Sequence, residues 1–268
     1  MAHSSIKSTG LRTFIEGAQL GIAYTTAIAL GEVEAHSSFR GFGRRDSLAT
    51  TAGGDDISNI AAVAISFPNQ SVGDQMTIVS DSANDAAAGS GARTVKIHYL
   101  DASGNYLHEI VTLNGVTGVN TVATNIRFIQ LISVDSVGSF GGKNAGNITI
   151  YKLATPATVY LRIVVGDNVS LSSARMVPNG KTFYLTGINA SATSSKSVSA
   201  RLLATCDHAG DYIEGVFQFE EIIECQDSVA SLAFAIPRKI PSLAILKGVA
   251  VSSQAGGSVS MSYDGWIE

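Results

Sequence analysis

The residues with the clearest potential for chemistry lie between Ser80 and Gly115, in "SDSANDAAAGSGARTVKIHYLDASGNYLHEIVTLNG". A hairpin closing through Asp101 to Asn105, with Leu100 opposite Tyr106, sets His98 opposite His108 on one face beside Lys96. Neighbouring imidazoles can hold a transition metal or titrate between about pH 5 and 7. No third ligand adjoins them in the sequence and Lys96 repels a cation, so a solvated polar face is expected there and no metal ligand is assigned.

The other chemical patterns in the segment fail specific requirements. Gly89-Ser90-Gly91 begins a phosphate cradle, but such a loop needs a third glycine or Gly-Lys-Ser/Thr and a following helix. Here Thr94 stands in a strand-like run, "TVKIHYL", so a loop between strands is expected, with Asp81, Asn84 and Asp85 bonding nearby backbone. Asp101, Ser103 and Asn105 alternate like calcium ligands, yet Tyr106 and Thr112 occupy the positions where that loop needs glycine and glutamate. Elsewhere, Asp55-Asp56 and Glu220-Glu221 are adjacent acids, and adjacent residues on a strand face opposite sides. There is no GxSxG elbow, no HExxH and no glycine-rich dinucleotide turn. No catalytic residue, metal ligand or cofactor is expected; a glycosidase drawing acids from distant loops would leave no such local motif. The tripeptides beginning at Asn147, Asn168 and Asn189 match the glycosylation acceptor pattern and are taken as strand and turn residues.

Composition narrows the partner classes. The chain has 268 residues, enough for two domains with their own cores. Charged residues form 15% of it and the net charge is -4, which argues against a nucleic-acid binder and towards protein or saccharide partners. Cys206 and Cys225 have neither CxxC spacing nor neighbouring ligands, so two buried free thiols are expected. Glu16 and Gln19 interrupt "TGLRTFIEGAQLGIAYTTAIALGEVEA", which removes both a signal-peptide core and a run of about 18 apolar residues able to span a membrane. A soluble, unprocessed protein is the expectation.

The elements that must position these residues fall into three blocks. Residues 1–56 read as an extended N-terminal arm, with a short helix drawn from Phe14, Leu20, Ile22, Ala23 and Ile28 and weakened by Gly17, Gly21 and Gly31. "SSFRGFGRRDSLATTAGGDD" shows no apolar periodicity, and Phe39, Arg40, Phe42, Arg44 and Arg45 suit an arm laid across another subunit. Period-2 alternation then predicts a first β-sandwich over 57–155, from "MTIVS", "TVKIHYL", "YLHEIVTL", "RFIQLISV" and "NITIYKL". A second sandwich or jelly roll over 156–268 follows the "KLATPAT" junction, with "VPNGK" as a hairpin turn. The fold class expected is therefore mainly β.

The block "TIVSDSANDAAAGSGARTVKIHYLDASGNYLHEIVTLNGVTGVNTVATNIRFIQLISV" resembles a family of tailed-bacteriophage virion structural proteins. The shared pattern is "SSSANDTAAGTGARTV-x-x-x-x-LD", then "VTLNG", then a strand beginning "IRFI". "FRGFGRRDSL" is similar to that family's glycine and arginine arm, and "VPNGKTFYLTGI" to its "VPAGKT" turn, so the resemblance covers about residues 30 to 190. "GRRDSL" departs from the family's commoner Gly-Arg-Asn form, which bears on how the arm docks.

The resemblance implies a non-enzymatic virion component made in the host cytoplasm and present in many copies on the particle surface. The reading favoured is a capsid decoration or cement protein, trimeric, whose arm grips the major capsid protein or other virion subunits, with no nucleic-acid or membrane partner. Deleting residues 1 to 50 is then expected to leave folded β-domains that no longer join particles. Alternatives are a neck or tail adaptor, a fibre-attachment protein, or a carbohydrate-binding sandwich using Trp266, Tyr263 and Tyr212. Alternation along strands makes those three aromatics core residues first.

Overall fold

The computed structural model describes residues 24–50, 53–58, 72–193 and 197–268. Of the expected N-terminal helix, Phe14, Leu20, Ile22 and Ala23 lie outside the described residues. A six-residue helix, α1 (Tyr24–Ala29), is present and buries Ala27 and Ile28. Every other regular element among the described residues is strand, arranged as two sandwiches, each made of two antiparallel sheets.

The first sandwich joins β3 (Met76–Ser80), β6 (Val119–Asn120), β8 (Ile148–Lys152) and β9 (Thr155–Ile163) in one sheet, in the order β6-β3-β8-β9. The facing sheet has the order β5-β4-β7, from β4 (Ala92–Asp101), β5 (Tyr106–Thr112) and β7 (Ile126–Val137). Alternation in "MTIVS" and "RTVKIHYL" turns Met76, Ile78, Val95 and Ile97 inward, where they meet Ile129, Ile132, Ile148, Ile150 and Leu161. β8 and β9 pair as a hairpin from Lys152↔Thr155 to Ile148↔Ile163. The 155/156 junction therefore falls inside that hairpin, and β9 belongs to the first sandwich. Pro156 sits at the exposed start of β9, a place where a strand tolerates proline.

The second sandwich stacks the sheet β1-β16-β11-β14 on the sheet β10-β15-β12-β13. The strands are β1 (Ser37–Leu48), β10 (Arg175–Met176), β11 (Phe183–Ala192), β12 (Ser197–Ala204), β13 (Phe219–Gln226), β14 (Val229–Ile240), β15 (Ile245–Ser252) and β16 (Gly257–Ile267). A further short strand, β2 (Asp55–Asp56), pairs with β15. Phe183, Leu185, Ile188, Met261 and Tyr263 from one sheet pack on Val198, Leu202, Phe219, Ile223 and Leu246 from the other. The two free cysteines, Cys206 and Cys225, are buried in this core, and burial pushes the Cys206 thiol up to about 12.

The largest departure from the sequence reading concerns the arm. Ser37–Leu48 is an edge strand of its own chain's second sandwich, registered antiparallel on β16 from Ser37↔Ile267 to Leu48↔Gly257. Its alternation is real but hidden, because the inward positions are Phe39, Gly41, Gly43 and Arg45. A side chain at Gly41 would meet the Tyr263 ring at 2.1 Å, and one at Gly43 would meet the Ile57 carbonyl at 2.3 Å. Glycine is needed at both because the core closes directly on the backbone. The first sandwich is consequently an insertion between β2 and β10, and the strands flanking it complete the second.

"VPNGK" also differs from expectation. Lys181 N–H bonds the Pro178 carbonyl at 3.2 Å across the turn. The strands it joins lie in different sheets, β10 on β15 and β11 on β14 and β16, so it is a crossover turn and not a hairpin.

Candidate functional site

The opening segment forms the hairpin expected of it. Leu100 pairs with Tyr106 and His98 with His108, with ring centroids 6.1 Å apart. Asp101 closes the loop by accepting from the N–H groups of Ser103 and Asn105, each at 2.9 Å, so its carboxylate is occupied by the turn itself. Tyr106 Oη lies 2.8 Å from His98 Nδ1. Burial, with Lys96, His108 and Arg175 nearby, pushes the His98 imidazole below its ordinary value. Among the described residues no group of three His, Cys, Asp or Glu side chains gathers as a metal site.

Asp85 is the residue in this segment that sequence reasoning under-read. It is fully buried and its carboxylate takes four donors. Oδ1 accepts from the N–H groups of Ala92 at 2.7 Å and Ala145 at 2.8 Å. Oδ2 accepts from Ser80 Oγ at 2.7 Å and Gly146 N–H at 2.9 Å. The expected bonds were local, but two of these reach about sixty residues along the chain to the "GGKNAGN" loop. Asp81 does the same, taking Asn147 N–H at 2.8 Å and Asn147 Nδ2 at 2.7 Å. Gly91 is required here because a side chain would lie 2.2 Å from Asp85 Oδ1. The Gly-Ser-Gly turn is therefore packed round a structural carboxylate. The remaining acidic pairs are likewise partnered: Asp55 with Arg45 at 3.3 Å, Asp56 with Lys247 at 3.0 Å, Glu220 with Arg201 at 3.3 Å and Glu221 with Arg238 at 3.2 Å.

The five arm residues divide by face. Phe39 packs at 4.9 Å on the Phe183 ring, and Arg45 is nearly buried against Asp55. Both serve the chain's own core. Arg40, Phe42 and Arg44 point outward from the edge strand, with Arg40 paired to Asp264 at 3.1 Å and Arg44 to Asp46 at 3.1 Å. Of the three late aromatics, Tyr263 is wholly buried, donating to the Ser173 carbonyl at 2.8 Å. Trp266 lies between Tyr184, stacked at 5.3 Å, and Tyr24, edge-on at 5.5 Å. Tyr212 is exposed.

Two surfaces invite partners. At one side of the second sandwich, edge strands β13 and β14 follow each other and expose Ile222, Val229 and Ile236, the last two at 73% and 77%. At the edge of the first, β5 exposes Tyr106, Leu107 and Ile110. Free strand edges with apolar side chains are pairing templates, and soluble chains usually blunt them. Pro237, Arg238 and Lys239 blunt only the last part of β14.

Between the sandwiches, the β4–β5 hairpin tip docks on the "VPNGK" turn through Asn179 N–H to the Gly104 carbonyl at 2.9 Å. Leu100, Phe128, Met176 and Ile245 form a small apolar cluster across the same junction. The Gln130 amide is matched to the Met176 backbone, donating to its carbonyl at 2.5 Å and accepting from its N–H at 3.1 Å. Beside this contact lies a cleft of about 690 Å³ lined by residues of both sandwiches and of β1.

No family model and no curated protein sequence matches the chain. Among solved structures, a chain of infectious bursal disease virus Gt strain aligns over 92% of this chain and 76% of its own, at 10% identity and a TM-score of 0.21. The VP2 subviral particle of the same virus aligns over 87% and 71%, at 11% identity and a TM-score of 0.17. Superpositions this poor carry no argument about fold or function.

Proposed function

We propose that the chain is a non-enzymatic structural subunit of a virus particle, a capsid decoration or cement protein that adds to a shell and resists its expansion. The observation that carries this is the open outer edge of β14, whose other side pairs with β11, where Val229 and Ile236 stand exposed beside Ile222 of β13. An apolar edge of this kind is a liability in an isolated protein and a contact surface in a repeating assembly. The resemblance of Thr77–Val134 to tailed-phage virion proteins supports the same reading. β1, the opposite edge of that sheet, offers Arg40, Phe42 and Arg44 as a second contact, so one sheet can join neighbours on both sides. Edge-to-edge pairing at both ends is how a subunit bridges shell proteins without a flexible arm.

The test is particle incorporation of a Val229→Lys, Ile236→Lys double variant. Exposed positions tolerate this change, so its melting temperature is expected to match the parent. Its incorporation into particles is expected to fall sharply. Normal incorporation with normal particle stability would remove β14 as the contact and with it the basis of the assignment. Sedimentation of the parent chain tests the proposed trimer.

A further inference from the structure

The cleft between the sandwiches carries an unmatched positive charge. Arg175, on β10, is 9% exposed and lines it. Its Nη1 donates to the carbonyls of Ser172 at 3.0 Å and Ala174 at 2.7 Å. No carboxylate among the described residues pairs with its guanidinium. The neighbouring hydroxyls are already engaged and neutral: Tyr263 donates to the Ser173 carbonyl at 2.8 Å, and Tyr106 lies 2.8 Å from His98 Nδ1. The Gln130 amide is consumed by the Met176 backbone. A guanidinium stays protonated even when buried, and a buried cation without a counter-charge is costly.

The rest of the lining has the same sign. Lys181 makes no ion pair among the described residues, and Arg40 shares its charge with Asp264 at 3.1 Å. None of the described residues lining the cleft is acidic. An anion is therefore the ligand that relieves this arrangement. Phosphate sites commonly use a helix N-terminus or a nest of backbone N–H groups, and none of the described residues lining this cleft belongs to a helix. A planar guanidinium fork matches a carboxylate as well as a phosphate, and without a helix N-terminus beside it the carboxylate is the better fit. Around it, Phe39 and Tyr106 supply ring surface, while Ser38, Asn105 and Asn179 supply donors and acceptors for hydroxyl groups. The volume, about 690 Å³, lies within the range of sites for small organic ligands.

We propose that this cleft binds an acidic monosaccharide of the uronic or sialic acid class, with its carboxylate on Arg175 and Lys181 as the second cation. The site goes beyond the virion assignment and does not rest on it, since a glycan-reading cleft and a shell-binding edge use different surfaces. It also differs from a Trp266-centred sugar site, because Trp266 is enclosed by Tyr24 and Tyr184.

The experiment is titration of the full chain, by calorimetry or NMR, with glucuronic acid, N-acetylneuraminic acid, glucose and acetate. At least one acidic sugar is expected to bind about tenfold or more tightly than glucose or acetate. Lys181→Ala and Tyr106→Ala are each expected to weaken that binding several-fold, and Arg175→Met to abolish it with the far-UV spectrum retained. Should Arg175→Met not fold, the Lys181 and Tyr106 variants decide. Four results would overturn the proposal: acidic sugars binding no better than glucose, acetate binding as tightly as the sugars, undiminished binding by folded Arg175→Met, or unchanged binding by both other variants.

Discussion

The first sandwich is contained between Met76 and Ile163, whereas the second closes by laying β1 on β16, more than two hundred residues later in the chain. Both have apolar cores between two antiparallel sheets. They differ in what holds the closure. In the first, a buried carboxylate, Asp85, accepts four hydrogen bonds, two of which tie its loop to the distant Ala145–Gly146 loop. In the second, a buried ring, Tyr263, lies against a strand whose glycine leaves room for it. A sandwich built from neighbouring strands can use loop chemistry to lock itself. One built from distant strands must place its specificity in the packing of the strands, because loop closure over that length repays nothing until the strand docks.

The sharpest way to break this contrast is to remove residues 24–50. That strips β1 from the second sandwich, removes Leu48 from its core and uncovers Tyr263 and Phe183. The expected loss matches the whole stability of an ordinary domain, about 5–15 kcal/mol, and should be confined to the second sandwich. Hydrogen exchange is expected to show protection lost in β11 and β16 and retained in β4 and β7. Folded second-sandwich amides after the deletion would return this segment to the role of a dispensable arm.

Asp85→Ala is the corresponding strike on the first sandwich. It leaves three backbone N–H groups and a hydroxyl without their acceptor in a buried site, at a cost of about 3–5 kcal/mol. Chemical denaturation followed by exchange in each sandwich is expected to show the first unfolding earlier while the second is unchanged. Equal destabilisation of both would mean that the junction makes them one cooperative unit. Gly41→Val is smaller, about 3 kcal/mol, because the new side chain forces the Tyr263 ring and the strand apart. Its effect is expected in the second sandwich alone, measured as a lower melting temperature.

The smallest effect is one of pH. His98 titrates in the folded protein below its ordinary value of 6.5, chiefly because burial disfavours the imidazolium and then because Lys96, His108 and Arg175 repel it. Between the folded and unfolded values the unfolded chain binds the extra proton. The stability from neutral His98 is therefore complete above about pH 6.5 and is lost as the pH falls through the folded value. Melting curves from pH 7.5 to 5 are expected to slope less in His98→Gln than in the parent. An identical slope would place the acid sensitivity elsewhere.

How much of this was legible in the sequence follows the same division. β3 is "MTIVS" as expected, and the hairpin that sets His98 opposite His108 follows from turn length and strand register alone. Those are local properties. The strand in "SSFRGFGRRDSL" was not legible, because its inward positions at Gly41 and Gly43 carry no apolar signal. Glycine at a core-facing position looks like flexibility until the ring that fills the space is known. Asp85 was read as a local capper since its distant donors, the N–H groups of Ala145 and Gly146, are backbone and leave no mark in side-chain patterning. The cleft was illegible for a related reason: Phe39, Tyr106, Arg175 and Lys181 come from four elements that only the docking of two sandwiches brings together.

By itself, then, the sequence determined the mainly β character, the short strands with their turns and the histidine-bearing hairpin, since alternation and turn chemistry act over a few residues. Only the tertiary structure decided that Ser37–Leu48 completes the last sandwich, that Pro156 lies inside a hairpin, and that Arg175 is buried beside a cleft whose described lining holds no acid. Those outcomes depend on which distant surfaces exclude water from one another, and no local pattern encodes that choice.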